Sequence, residues 1–196
     1  MMERTSVVSR NTKETEIQIS LNLDGSGKAD IQTGIGFFDH MLNSFARHGF
    51  FDLTVKVKGD LEVDTHHTIE DTGIVLGQAI KQAVGDKKGI VRYGSQILPM
   101  DESLVLCALD LCGRPYLVYD LDLDREKGGD LETEMVREFF YAVSYAAEMN
   151  LHIRQMAGMN NHHIIEAAFK AFAKALDSAV AAEPRLTGVL STKGSL

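Results

Sequence analysis

The sequence predicts an α+β fold made of two copies of one unit, each a ββαβα segment with helices covering one face of a mainly antiparallel sheet. Three observations carry this. Short stretches of period-two alternation are interleaved with longer stretches of period 3.6. The same order of elements occurs twice along 196 residues. A His-His-x-x-Glu motif, His66-His67 with Glu70, returns as His162-His163 with Glu166.

In the first half, residues 16–23 alternate Ile17, Ile19, Leu21 and Leu23 with polar neighbours and then meet Asp24-Gly25. The chain resumes at 28–33, so the stretch reads as a hairpin. Phe38, Met41, Leu42 and Phe45 fall at i, i+3, i+4 and i+7 and predict a helix over 37–48, stopped by Gly49. Residues 53–57 alternate again as a strand. Ile69, Leu76, Ile80, Ala83 and Val84 predict a helix over 66–84, ended by Gly85.

The second half repeats the order. Residues 104–111 and 116–123 read as a hairpin around Gly113, and 124–131 as an exposed loop. Val136, Phe139, Phe140 and Val143 predict a helix over 132–149. A short strand over 151–154 follows. Phe169, Phe172, Ala173, Leu176 and Val180 then predict a helix over 162–182.

The duplication can be checked by register. A shift of 96 that carries His66 to His162 also carries Ile69, Ala79, Ala83 and Val84 onto identical residues at 165, 175, 179 and 180. A shift of 88 carries Glu14 to Glu102 and Gly25 to Gly113, and one of 98 carries His40 to Glu138 and Leu53 to Leu151. The changes of shift fall between elements, where insertions are tolerated. Chance similarity of two amphipathic helices explains matched alanines but not two copies of the motif. The expectation is one domain over 1–196, built from repeats of about 1–90 and 91–196.

Composition narrows the function. Hydrophobic residues make up 44% and charged residues 24%, ordinary values for a globular chain. No apolar run reaches the roughly 18 residues of a membrane span. A net charge of −8 argues against a nucleic-acid partner, which wants a basic surface. The N-terminal stretch lacks the apolar core of a secretory leader. Cys107 and Cys112 are separated by an odd number of residues within one strand-like run, which puts them on opposite faces and disfavours a bridge. These features point to a cytoplasmic protein.

The histidine motifs point to metal. On a helix, neighbours lie about 100° apart, whereas i and i+3 or i+4 share a face. Glu70 can therefore join His66 or His67 at one ion, and the other ring must face elsewhere. Two ions, each collecting ligands from both halves, use every histidine. His40 and Glu138, equivalent in the duplication, are natural fourth ligands. Imidazole with carboxylate suits Mn, Fe, Co or Zn better than Mg or Ca. Asp64, Thr65, Asn160 and Asn161 have the character of helix N-caps. The spacing is not the His-Glu-x-x-His of zinc proteases. Arg92, Arg114, Lys170 and Lys193 are candidates for an anion site, and Ser191-Thr192-Lys193-Gly194 adds hydroxyls and backbone N–H groups of the kind a phosphate accepts from.

The runs 36–42 (GFFDHML), 64–71 (DTHHTIED) and 161–167 (NHHIIEA) resemble the imidazoleglycerol-phosphate dehydratase family. So do Asn22-Leu23-Asp24-Gly25, Pro99-Met100-Asp101-Glu102, Gly113-Arg114-Pro115-Tyr116 and the Ser191–Gly194 run. The resemblance implies a late dehydration in histidine biosynthesis, that of imidazole glycerol phosphate to imidazole acetol phosphate. It implies a fold like two ribosomal-protein S5 domain-2 units, and trimers assembled into a 24-subunit homo-oligomer with two Mn2+ per active site at subunit interfaces. By position, it makes His40, His66, His67, Glu70, Glu138, His162, His163 and Glu166 the metal ligands. Many members carry His where this chain has Glu138. It makes Glu14 and His48 catalytic. Substrate contacts fall to Glu14, His40, His48, His66, Glu70, Arg92, Arg114, His162, Lys170, Ser191, Thr192 and Lys193. The implied substrate carries an imidazole, a diol and a phosphate, with no carbonyl beside the reacting carbons. The reaction thus needs another electron sink, which metal at the ring nitrogens would supply. A two-metal phosphate-ester hydrolase and a metal-storage protein are the rival readings.

Overall fold

Alternation places Ile17, Ile19 and Leu21 on one face of β2 (Thr15–Asn22), and all three are buried. The computed structural model describes residues 4–196. Around β2 the first half adds β1 (Thr5–Asn11), β3 (Ala29–Gln32), α1 (Gly36–Gly49), β4 (Asp52–Gly59) and α2 (His66–Val84). The second half runs β5 (Tyr93–Met100), β6 (Ser103–Asp110), β7 (Tyr116–Asp120), a small β8–β9 pair (Lys127–Gly128 and Leu131–Glu132), α3 (Glu134–Ala146), β10 (Asn150–Ala157) and α4 (Asn161–Val180).

The α+β class and the repetition hold, with corrections to the unit. Each half opens with a strand that the alternation did not reveal, β1 and β5, so the order is βββαβα, with the small β8–β9 pair added before α3 in the second half. β1 and β5 are both edge strands. β1 buries only Ser6 and Val8, and β5 buries only Gly94, so neither shows a hydrophobic period. The two expected hairpins are not hydrogen-bonded pairs. The sheets run β1-β2-β4-β3 and β5-β6-β10-β7. β4 inserts between β2 and β3, antiparallel to the first and parallel to the second, and β10 does the same between β6 and β7. The helix after β3 is a crossover, and a crossover returns the chain parallel to the strand it left. Gly25 is needed for that insertion: a Cβ there would lie 2.3 Å from the backbone nitrogen of Asp52, at the start of β4. Asp52 Oδ1 accepts the N–H groups of Ser26 and Lys28 at 2.8 and 2.9 Å, which ties the turn to the inserted strand.

The helices fill the space between the two sheets. α2 lies on β1, β2 and β4, and α4 lies on β5 and β6. α1 packs on α4 and α3 on α2, so each half supplies a helix to the other. Phe45 stacks on Phe172 at 5.3 Å and Phe38 meets Phe139 edge-on at 5.3 Å, both pairs across the halves. All four are buried. α2 and α3 approach closely at Gly77, where a Cβ would stand 2.7 Å from that of Ala146. This exchange of helices brings residues of one half beside the motif of the other. Cys107 and Cys112 are both free and buried. Among the described residues no helix is long and apolar enough to cross a membrane.

Candidate metal centre and active site

Each His-His pair is held at a helix start by the residue two positions earlier. Asn160 accepts the His162 N–H at 3.0 Å, and Asp64 accepts the His66 N–H at 2.8 Å. Thr65 instead donates its hydroxyl to Glu132. The paired rings diverge as helical geometry requires. His66 and His67 are inclined at 71°, His162 and His163 at 75°, with centroids 6.1 Å apart in both pairs.

In α4 the first histidine turns toward the glutamate one turn on. His162 Nε2 lies 3.1 Å from Glu166 Oε2, and His40 Nε2 lies 3.3 Å from the same oxygen. The three ligand atoms are all within 4.8 Å of one another. α1 delivers His40, and its first turn is pinned by Asp130, which accepts the N–H groups of Gly36 and Phe37 at 2.7 and 2.9 Å. The Phe37 ring meets His162 edge-on at 4.9 Å. Two imidazole nitrogens converging on one carboxylate oxygen form a donor set suited to a first-row transition metal. The second oxygen of Glu166 lies 2.5 Å from Lys170 Nζ. Burial alone would raise this carboxyl's pKa, but the Lys170 ammonium, with His162 and His40, outweighs it and lowers the pKa from the ordinary value.

The first half repeats the pattern only in part. His66 Nε2 lies 3.5 Å from Glu70 Oε2, but Glu138, the expected counterpart of His40, meets the Arg137 guanidinium at 2.8 Å. Among the described residues, the His40–His162–Glu166 group is the one place where three such ligands gather. His67 and His163 face other partners. His67 Nδ1 is 2.9 Å from Asp60 Oδ2, and its Nε2 is 3.9 Å from Glu14 Oε1. His163 Nδ1 is 2.7 Å from Glu102 Oε2, and its Nε2 is 3.6 Å from Asp101 Oδ2. The hydrogen bonds to Asp60 and Glu102 raise the pKa values of the two imidazoles. In return, the His163 bond and the Asn160 N–H lower the Glu102 carboxyl to about 2.

Sequence reasoning missed Asp60, Asp101 and Glu102 as neighbours of the histidines. One signal was available for Glu102. It matches Glu14 at the shift of 88, so a glutamate beside one motif implied a glutamate beside the other. His48 lies in the last turn of α1. Burial, and then the positive charge of Lys170, depress its pKa below the ordinary value and so favour the neutral ring.

Five of the predicted substrate contacts line one cleft of about 680 Å3: Arg92, Arg114, Ser191, Thr192 and Lys193. Arg92 is already engaged. It grips Asp110 with two nitrogens at 2.7 and 3.0 Å and donates to the Leu190 carbonyl at 2.5 Å, which fixes the C-terminal segment. Neither Arg114 nor Lys193 has an acidic partner among the described residues, so the cleft offers an anion two cations. No histidine lines it.

Fold and site together define a class, a duplicated α+β protein with a histidine–carboxylate pair at each of two matched helix starts and one candidate metal group, His40–His162–Glu166, among the described residues. A family model described as imidazoleglycerol-phosphate dehydratase matches residues 33–176. The imidazoleglycerol-phosphate dehydratase of Lachnoclostridium phytofermentans is 69% identical, with 100% of both chains covered. That of Acetivibrio thermocellus is 64% identical, again over 100% of both. Among solved structures, the imidazoleglycerol-phosphate dehydratase of Staphylococcus aureus superposes with a TM-score of 0.82 at 42% identity, over 91% of this chain and 99% of that one. The enzyme of Pyrococcus furiosus, in complex with (S)-C348, gives 0.84 at 35% identity, over 96% and 100%. The chain belongs to the imidazoleglycerol-phosphate dehydratase family. It is a hydro-lyase, and the family name places it in histidine biosynthesis.

Proposed function

We propose that this chain catalyses the metal-dependent dehydration of imidazole glycerol phosphate to imidazole acetol phosphate and water, with two Mn2+ per active site. The observation that carries this reading is the convergence of His40 and His162 on one oxygen of Glu166 in a chain of this family. Of the remaining proposed ligands in the single chain, His66 and Glu70 face each other, His67 and His163 face carboxylates, and Glu138 pairs with Arg137, so none of them completes a second three-ligand group among the described residues. That arrangement supports completion of the metal sites between subunits of a homo-oligomer, trimers building a 24-subunit particle. We also take residues 1–196 as one domain of two repeats and the cytoplasm as its location.

When bound, a metal held by these residues would supply a Lewis acid, which would let the substrate's imidazole serve as an electron sink. Glu14, half-exposed beside His67, takes the proton from the carbon beyond the one joined to the ring. The hydroxyl on the ring-linked carbon leaves with a proton as water. The enol that results gains a proton at that carbon and becomes the ketone. Neutral His48 is the second group able to carry a proton. Arg114 and Lys193 bind the phosphate, with the Ser191 and Thr192 hydroxyls donating to its oxygens. Arg92 holds the segment that carries them. Phosphate binding away from the reacting carbons then positions those carbons.

The test is to incubate Mn2+-loaded protein with imidazole glycerol phosphate and measure ketone and free phosphate. Ketone without phosphate release is expected. Phosphate release would indicate the two-metal hydrolase, and neither product a metal-storage protein.

A further inference from the structure

We propose that Asp60 and Glu102 are positioning residues for the metal ligands, each fixing the tautomer and aim of one histidine. The inference rests on the reading of His67 and His163 as ligands.

A carboxylate can only accept. Asp60 Oδ2 at 2.9 Å from His67 Nδ1 therefore requires the ring hydrogen on Nδ1, and the neutral ring keeps its lone pair on Nε2. Glu102 Oε2 at 2.7 Å from His163 Nδ1 imposes the same tautomer. Both rings thus present Nε2 as the nitrogen able to bind a cation. Carboxylates behind ligating imidazoles act this way, holding the ring and raising its basicity.

The two halves reach this arrangement from different places. Asp60 follows β4, and the position after β10 that matches it at the shift of 98 is Gly158. A side chain is excluded there: φ is +122° and a Cβ would lie 2.3 Å from Ser103 Oγ. The second half instead draws its carboxylate from the turn between β5 and β6. Glu102's own counterpart, Glu14, faces the opposite nitrogen of His67. Copying one ancestral contact would put equivalent residues at equivalent atoms. Non-equivalent residues on the same Nδ1 mark a requirement of the site.

Asp60 is also poorly explained by the fold. His67 is the one side chain it bonds among the described residues, and its other oxygen is buried without a partner. Glu102 has a second task, accepting the N–H groups of Met159 and Asn160.

The experiment titrates chelated protein with Mn2+, without substrate, reading free ion by electron paramagnetic resonance. The variants are Asp60→Asn, Asp60→Ala and His67→Ala, with melting curves to confirm folding. Asp60→Asn is expected to weaken one class of site by about 10–100-fold at an unchanged melting temperature. In chelated Asp60→Ala, which has no acceptor left at this position, ring-15N spectra should show the His67 hydrogen released from Nδ1, a change that a purely structural role would not produce. Wild-type affinity in both Asp60 variants, with ion loss in His67→Ala, would overturn the positioning role alone. Wild-type affinity in His67→Ala would overturn the ligand reading and this inference with it. If the Asp60 variants do not fold, Glu102→Gln puts the same question to His163, because Gln keeps an acceptor for the two backbone N–H groups.

Discussion

Lys170 stands one helical turn beyond Glu166 and reaches its Oε1 at 2.5 Å, while Oε2 faces His40 and His162. One carboxylate thus faces a resident cation on one side and the gathered imidazoles on the other. Its burial makes the countercharge necessary. Lys170→Met should destabilise the chelated protein by about 1–3 kcal/mol and the metal-loaded protein by less, because bound metal supplies the missing charge. Urea unfolding of both forms measures the difference. Equal losses would separate Lys170 from the metal group.

The pair of Glu102 and His163 sets opposite pH responses. Glu102 has a depressed pKa, so its contribution is present above the ordinary 4.5 and is lost as pH falls through about 2. His163 has a raised pKa, so its contribution is full below 6.5 and is lost as pH rises through the elevated value. Metal needs the neutral ring, and protons compete with it. Above pH 6.5 the chelated protein should therefore lose stability while metal affinity rises. Melting temperatures and Mn2+ titrations across that range check both directions.

No histidine lines the cleft, so its cations can be changed without touching the proposed metal ligands. Lys193→Ala or Arg114→Ala should weaken substrate binding by roughly 1.5–3 kcal/mol with metal content unchanged. Arg92→Ala should instead lower stability by about 1–3 kcal/mol, since it frees Asp110 and the Leu190 carbonyl. KM, bound metal and denaturant midpoints for the three variants distinguish these roles. Metal loss in the Lys193 variant would place that residue in the wrong site.

Glu14→Gln keeps the shape of the side chain. It should hold metal and bind substrate nearly as wild type, while kcat falls by about 10²–10⁴. Wild-type turnover would move proton transfer to His48.

The helices were legible because their period was strong. Phe38, Met41, Leu42 and Phe45 located α1 to within a residue at each end, and the His66 helix matched α2 as observed. Strand pairing was not legible. Asp24-Gly25 announced a reversal, but a reversal does not say which strand comes to lie beside it. What fills that place is Asp52, from another part of the chain. The histidine pairs were visible as a motif. Of the carboxylates behind them, Glu102 left one trace, its match to Glu14 at the shift of 88, while Asp60 left none, because its match is Gly158 and it reaches its ring through folding alone.

Packing between the halves is equally testable. Gly77→Ala would set a methyl 2.7 Å from Ala146 Cβ and from the Val143 carbonyl, where neither backbone can yield cheaply. It should cost about 1–3 kcal/mol by forcing α2 from α3. A neutral result in thermal unfolding would mean that the helices slide freely.

The central claim is that His40, His162 and Glu166 anchor a metal on which dehydration depends. The most direct measurement is turnover of imidazole glycerol phosphate by the chelated protein as Mn2+ is returned, with bound metal counted at each point. Activity should be absent without metal, rise with bound Mn2+, and fail to recover in Glu166→Gln at the same metal concentrations. Full ketone formation by the chelated protein, or normal recovery in Glu166→Gln, would contradict it.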